Sequence, residues 1–494
     1  MHEVRVSGPR APVARPANRG LLHRDSLLWL ALVCLLFLAA ELTPALLRMP
    51  LGADEITYIA RTSARASSIS LPPVHGQGAG LLAAPVTLLT TSLLAVRIWM
   101  SVLSAAGLFL ALLCWRGLRP VWLLALAGLV LASLAITQNS GVQVYPDWWG
   151  ALGLVALTAL FLHGVNGTIR NRVVLPLIAV ASLLIVLMRP QNVVFLMGPI
   201  IIGALLFRRW RKPRVIAAMA VGIAVGFLDF LLGADLWFGG LSERIKLAGQ
   251  EPPSLKLYFA VGTQLRYLNG PWYCSSDCRS WSTPLETPWW IVFLAIALLG
   301  LWAGWHAAQR ASSMLAAVNA LWVFLLYAFL VPFGAPRYLL PTLALMSILV
   351  ADGIVWAVTE SRWRKPAIVL TCAFLLSGIV SQRLILQGQA RYQHLSRQFE
   401  TQADQLIKLG VKGPCVMDST SIAWYVGCSA PWTGQGIVQL LADTPPGLKD
   451  WRLLQLPGLS TVVYVPSNSP LVKLHGTTAA RNDTTVGSLS ASGF

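Results

Sequence analysis

Arg48-Met-Pro-Leu-Gly-Ala-Asp54-Glu55-Ile-Thr-Tyr58-Ile-Ala-Arg61 follows at once on the first long apolar run of the chain, Ser26 to about Leu47. That run is long enough to cross a bilayer at 1.5 Å per residue, and it is longer than the hydrophobic core of a usual signal peptide. Two adjacent carboxylates therefore stand where the chain has just left the membrane. Acids are scarce, 20 Asp+Glu against 38 Lys+Arg, so an adjacent pair there needs a reason. One reason is structural: Asp54 could cap a helix beginning near Ile56. The rest of the chain supplies a second.

Hydrophobic residues make up 56% of the 494 and charged residues only 12%, about half the share of a soluble domain. The chain reads as an all-α polytopic membrane protein with room for one further small domain. Twenty Trp suit interfacial belts. The net charge of +18 reads as topology, with basic clusters facing an anionic cytoplasmic leaflet, and not as nucleic-acid binding. No P-loop, zinc-finger or GxGxxG pattern stands in a strand–helix context, which argues against a nucleotide-driven enzyme.

Outward from the first loop, residues 1–25 are a basic tail without hydrophobic period, read as disordered and cytoplasmic. Leu71-Pro-Pro-Val-His75-Gly-Gln-Gly-Ala-Gly cannot be one continuous helix. Leu81 to about Leu94 is expected along the outer interface, and the second span begins with Arg97. Pro146-Asp147 opens the fourth span. Val173 to Phe207 is apolar except for Arg189-Pro-Gln-Asn192 at its centre. As one helix it would be about 50 Å long, against a hydrocarbon core of about 30 Å. Arg170 and Arg172 precede it, and a cluster from Arg208 to Arg214 follows, so both ends belong on the basic side. It reads as a hairpin with Arg189 at its tip, and a charge at that depth is functional by default. Continuing this way gives about eleven spans over residues 26–386, N-terminus cytoplasmic and C-terminus outside, in a plasma membrane. Residues 387–465 read as a small extracytoplasmic α/β domain and 466–494 as a disordered tail.

Cys274 and Cys278 fall in one polar outer loop and Cys415 and Cys428 in the C-terminal region. Each place holds an even local pair on the oxidising side, as disulfides need. Cys34, Cys114 and Cys372 lie in apolar runs and read as packing residues.

In the order of these motifs the chain resembles the GT-C glycosyltransferases that use lipid-linked donors. Its layout is similar to the bacterial family 39 and 83 kind, related to protein mannosyltransferases and aminoarabinose transferases. The motifs are Asp54-Glu55, the Arg97-led span, Pro146-Asp147, the hairpin with Arg189-Pro190, and Pro336-Arg337-Tyr338-x-x-Pro341. The resemblance covers about residues 26–386. The C-terminal domain departs from it, although the Cys415-x12-Cys428 layout looks like actinobacterial members. The resemblance implies inverting transfer of a sugar from a polyprenyl-phosphate donor, within the lipid bilayer, to a glycan, glycolipid or protein acceptor. It implies Asp54 as base, with Glu55 as alternate or orienting group, and Arg189 and Arg337 as ligands of the donor phosphate. Asp147, His75 and Tyr338 are candidates for substrate contact, each with an ordinary alternative as a helix cap, a loop residue and an interfacial aromatic. A divalent metal ion is left open. The rival readings are a transporter or flippase of a polyprenyl-linked or anionic solute, and a non-catalytic scaffold. Acids grouped outside the bilayer, not at its midplane, speak against transport.

Overall fold

The computed structural model describes residues 27–49, 51–60, 62–63, 72–90, 92–249, 257–266, 268, 286–307, 309–331, 334–430, 451–455 and 462–475. The tail at 1–25 and the Cys274/Cys278 pair lie outside the described residues.

The helices run in chain order as α1 (Leu27–Glu41), α2 (Pro44–Leu47), α3 (Ala53–Ala60), α4 (Gly78–Thr87), α5 (Leu93–Leu113), α6 (Val121–Ser133) and α7 (Ala135–Val142). Next come α8 (Pro146–Asn166), α9 (Asn171–Met188), α10 (Asn192–Phe195), α11 (Gly198–Leu206), α12 (Pro213–Phe238), α13 (Leu241–Ala248) and α14 (Val261–Arg266). Then α15 (Glu286–His306), α16 (Arg310–Leu330), a 3₁₀ turn (Pro336–Leu339), α17 (Leu340–Thr359) and α18 (Arg364–Lys408) complete the bundle.

Among the described residues, eight helices are long and apolar enough to span a membrane, which makes this a multi-pass membrane protein. A ninth span is broken: α6 and α7 are bent by 82° at Leu134. The remaining segments of the eleven-span reading are short, 15 residues in α1 and 9 in α11. The helix of the 78–80 region also starts earlier than the sequence suggests, at Gly78, inside the string read as non-helical.

α8 and α17 form the buried axis of the bundle. The 173–207 hairpin forms around α8. α9 ends with Arg189 beside Asp147, at the first turn of α8. The return through α10 and α11 brings Trp210 edge-on to Phe161, near the last turn of α8. That same far end is fastened by Arg119, whose guanidinium donates to both oxygens of Asp352 and to the hydroxyls of Ser312 and Ser313. Arg170, Arg172, Arg214, Arg310 and Arg364 all lie at helix ends on this side.

α18 runs for 45 residues without a break, so the last span continues directly into the C-terminal region. There β1 (Val416–Met417), α19 (Thr420–Val426), β2 (Trp451–Gln455), β3 (Val462–Pro466) and α20 (Pro470–His475) form a small α/β unit. Its sheet is antiparallel in the order β1-β3-β2, with Val416 opposite Tyr464 and Leu453 also opposite Tyr464. Cys415 and Cys428 are joined by a disulfide that closes the turn around α19. The unit is less separate than its polar composition suggests. Its buried Trp424, Ile422 and Leu406 belong to the same hydrophobic core as the spans, because α19 packs on α3. Helix α20 falls within the segment expected to be disordered.

Candidate active site

The site lies at the end of the bundle opposite Arg119. α3 begins with Gly52 at its N-cap position, and Glu55, three residues on, reaches back to accept from the Gly52 N–H at 3.0 Å. This is half of a capping box. The capping carboxylate is thus Glu55; Asp54 sits within the first turn of the helix.

Glu55 is fully buried and its oxygens are saturated. Arg97 donates through Nη1 to Oε1 at 2.6 Å and through Nη2 to Oε2 at 2.9 Å. The Val144 N–H adds a further bond to Oε1 at 2.8 Å. Arg97 also donates to the carbonyls of Met49 and Val142. One ion pair therefore ties α3 to the start of α5 and to the α7–α8 connection. The connection also brings Tyr145 and Asp147 to the site.

Asp54 points elsewhere. Its Oδ2 accepts from Arg337 Nη2 at 2.9 Å, and 42% of its side chain stays exposed against 9% for Arg337. Burial by itself would raise its carboxyl, but the neighbouring guanidinium groups, chiefly Arg337, outweigh that and hold it below the ordinary carboxylate range. Asp147 is buried with Oδ2 3.4 Å from Arg189 Nη2 and 3.4 Å from Arg337 Nε. Both contacts are long, and Arg189 Nε is buried without a hydrogen-bond partner. The resemblance implies both arginines as ligands of the donor phosphate. The geometry refines that expectation: Asp147 and Asp54 already balance the two cations, and what remains is under-used donor capacity.

Aromatic rings wall the cluster. Arg337 lies over Tyr145 at 4.5 Å and near Tyr338 at 5.4 Å, and Arg189 over Tyr338 at 5.0 Å. Tyr338 stacks on Tyr327 of α16 at 4.9 Å. On the other side His75 stacks on Tyr58 at 4.9 Å. The Tyr58 hydroxyl and His75 Nδ1 are both buried without partners. Burial, reinforced by the positive charge of Arg189, pushes the His75 imidazole down to about 3, so it is neutral at ordinary pH.

Asp54, His75, Asp147, Arg189, Arg337 and Tyr338 thus come together from far-apart parts of the chain. Glu55 is held just behind them. Among the described residues no three acidic, His or Cys side chains are grouped to hold a metal ion. Arg97 as the partner of Glu55, and Tyr145 and Tyr327 as ring walls, were not assigned from sequence. Arg97 alone carried a signal, as a charge opening a span.

No protein-family model and no curated protein matches the chain. Solved structures do. ArnT from Cupriavidus metallidurans bound to undecaprenyl phosphate superimposes with a TM-score of 0.56 at 14% identity, over 82% of this chain and 85% of that one. Its apo form gives 0.57 at 13% identity, over 82% and 84%. The apo oligosaccharyltransferase of Archaeoglobus fulgidus aligns over 86% of this chain and 66% of its own at 0.47 and 10% identity. The chain has the GT-C fold, the architecture its sequence resembles.

Proposed function

We propose that this protein is an inverting membrane glycosyltransferase that moves a sugar from a polyprenyl-phosphate donor to a hydroxyl-bearing acceptor at the outer face of a plasma membrane. The observation that carries the reading is the placement of an accessible carboxylate, Asp54, against two under-used guanidinium groups, Arg337 and Arg189, at one end of a GT-C bundle. The orientation rests on charge. The opposite end gathers the basic loops, which fits a cytoplasmic face and puts the site and the C-terminal unit outside.

In the reaction, the acceptor hydroxyl gives its proton to Asp54 while its oxygen forms a bond to the anomeric carbon. The bond from that carbon to the phosphate oxygen breaks, and the lipid phosphate leaves with its electron pair. Arg189 and Arg337 stabilise the charge that grows there, and Arg can do so in bidentate fashion. Asp54 bonded to Arg337 is a weak base. When a phosphate claims Arg337, Asp54 loses its strongest electrostatic restraint and its basicity rises, so the donor readies the base. Glu55 cannot share the proton transfer, since its acceptor sites are filled; it fits the orienting role. Asp147 spaces the two arginines, and Tyr338 backs them.

A groove of about 1190 Å³ between α5, α8 and α9 supports a lipid-borne donor. Leu103, Gly107, Leu110, Leu152 and Ala156 line it, and it runs from Leu184, five residues before Arg189, to Arg119 at the opposite end of the bundle. ArnT was solved with a polyprenyl phosphate, undecaprenyl phosphate, bound.

The deciding experiment is single-turnover transfer from a synthetic polyprenyl-phosphate sugar by purified protein in lipid nanodiscs. Transfer with inversion at the anomeric carbon supports the reading. Solute flux in vesicles without any glycosyl transfer across a panel of donors would replace it with transport.

A further inference from the structure

The segment that carries His75 lies outside helix and strand up to Gly78, yet it is tightly fixed. Gly76 packs against the last turn of α9, where an added Cβ would collide with the Leu187 carbonyl oxygen. Gly80 meets the Tyr58 carbonyl in the same way. Neither position tolerates a side chain without moving backbone. The segment is therefore wedged between α3, which carries Asp54, and the residues just before Arg189.

Its third side is closed by Arg244, which lies on α13 and is 1% exposed. All three of its nitrogens donate to carbonyl oxygens: Nε to Pro73 at 2.9 Å, Nη2 to His75 at 2.9 Å and Nη1 to Phe230 at 2.7 Å. Its plane sits over the Phe230 ring at 3.5 Å, with Phe238 at 4.8 Å. A buried cation with carbonyl acceptors is a costly arrangement, tolerated where it fixes something. Here it fixes the two carbonyls that bracket Val74 and so the backbone from which the imidazole projects.

We propose that Arg244 is a positioning residue for the active site, acting through His75: it pins the Pro72–Gly80 segment so that the imidazole stays stacked on Tyr58 with Nδ1 free to bond a substrate hydroxyl. This rests on the glycosyltransferase reading for its functional consequence, but not for the pinning itself. Arg244 touches no reacting atom. It converts α13, an element beyond the spans, into part of the site's scaffold, and Arg is suited to it because a planar fork reaches three acceptors at once.

The test combines amide hydrogen exchange with transfer kinetics on the full-length protein in nanodiscs. In Arg244→Ala, exchange over residues 72–80 should rise about tenfold or more while α9 and α17 keep wild-type protection. The same variant should lose roughly ten- to a hundredfold in kcat/KM, as expected for removing charge-assisted hydrogen bonds. Placed on His75→Ala, Arg244→Ala should cost nothing further, because its effect passes through the imidazole. Arg244→Lys, with charge but no fork, should lie between wild type and alanine in both readouts, and it carries the comparison alone if the alanine variant does not fold. Unchanged exchange over 72–80, or losses that multiply in the double variant, would overturn the proposal. A wild-type protein that transfers no sugar would sink the functional reading and leave exchange to decide the pinning.

Discussion

Arg97 closes on Glu55 through both of its terminal nitrogens, at 2.6 and 2.9 Å, and neither side chain has any exposed surface. Next to it, Asp54 meets Arg337 through a single bond and stays open. Two adjacent acids thus have different environments, one closed and saturated, one accessible and singly held.

The closed pair should matter to stability. Arg97→Ala leaves Glu55 buried and uncompensated, which costs about 3–5 kcal/mol. Glu55→Gln leaves Arg97 in the same position. Both variants should show a clearly lowered Tm and loss of protein from mild detergent, measurable by thermal unfolding. A wild-type Tm in both would mean that the pair relaxes without cost.

The open acid should matter to chemistry. Asp54→Asn is expected to unfold at the wild-type temperature and to lose transfer by roughly 10²–10⁴-fold, the range for a positioned general base. A carboxamide keeps the shape but cannot take the proton. Wild-type turnover in this variant would return Asp54 to a structural role on α3.

Arg189→Ala and Arg337→Ala should each weaken donor binding and slow the single-turnover step, since the charge on the leaving phosphate grows in the transition state. Lysine at either position should recover only part of the loss. The two differ in pH dependence. Arg337 is the main restraint on the Asp54 carboxyl, which it holds low. Removing it should move the acid limb of the pH–rate profile upward, whereas Arg189→Ala should move it less. Equal limbs in both variants would count against the pairing of Asp54 with Arg337.

His75 gives a stability prediction with a definite sign. A free imidazole takes its proton near pH 6.5, whereas burial pushes this one down to about 3. Between those values the unfolded chain binds a proton that the native protein refuses. Stability should therefore fall as pH drops below about 6.5, and go on falling toward pH 3. His75→Gln removes the titration and should flatten that part of the pH–stability curve. Identical acid slopes for wild type and variant would show that the imidazole is solvated.

Much of this architecture is readable in the sequence. The 173–207 hairpin follows from simple length and from basic residues at both its ends, so the placement of Arg189 at its tip was legible. The Cys415–Cys428 pair was legible for the same topological reason. The roles inside the site were less so. Asp147 is adjacent in sequence to Pro146 and reads as a cap, because nothing local reveals that Arg189 and Arg337 arrive 3.4 Å away on either side. Arg244 sits between Glu243 and Ile245 in a polar loop and reads as a solvated charge. Its burial is decided by Phe230, Phe238 and the Pro72–Gly80 segment, none of them near it in a way that periodicity could signal. The break at Leu134 has no proline or glycine to announce it.

The 45 residues of α18 make a rod of about 68 Å at 1.5 Å per residue, more than twice the thickness of the hydrocarbon core. A rod with no joint transmits torque. The C-terminal unit stands on its far end and leans through α19 on α3, the helix that bears Asp54. A displacement of that unit must tilt the last span or press on α3. The last span and the C-terminal unit are therefore mechanically linked to the helix that carries Asp54, with helix stiffness setting the gain.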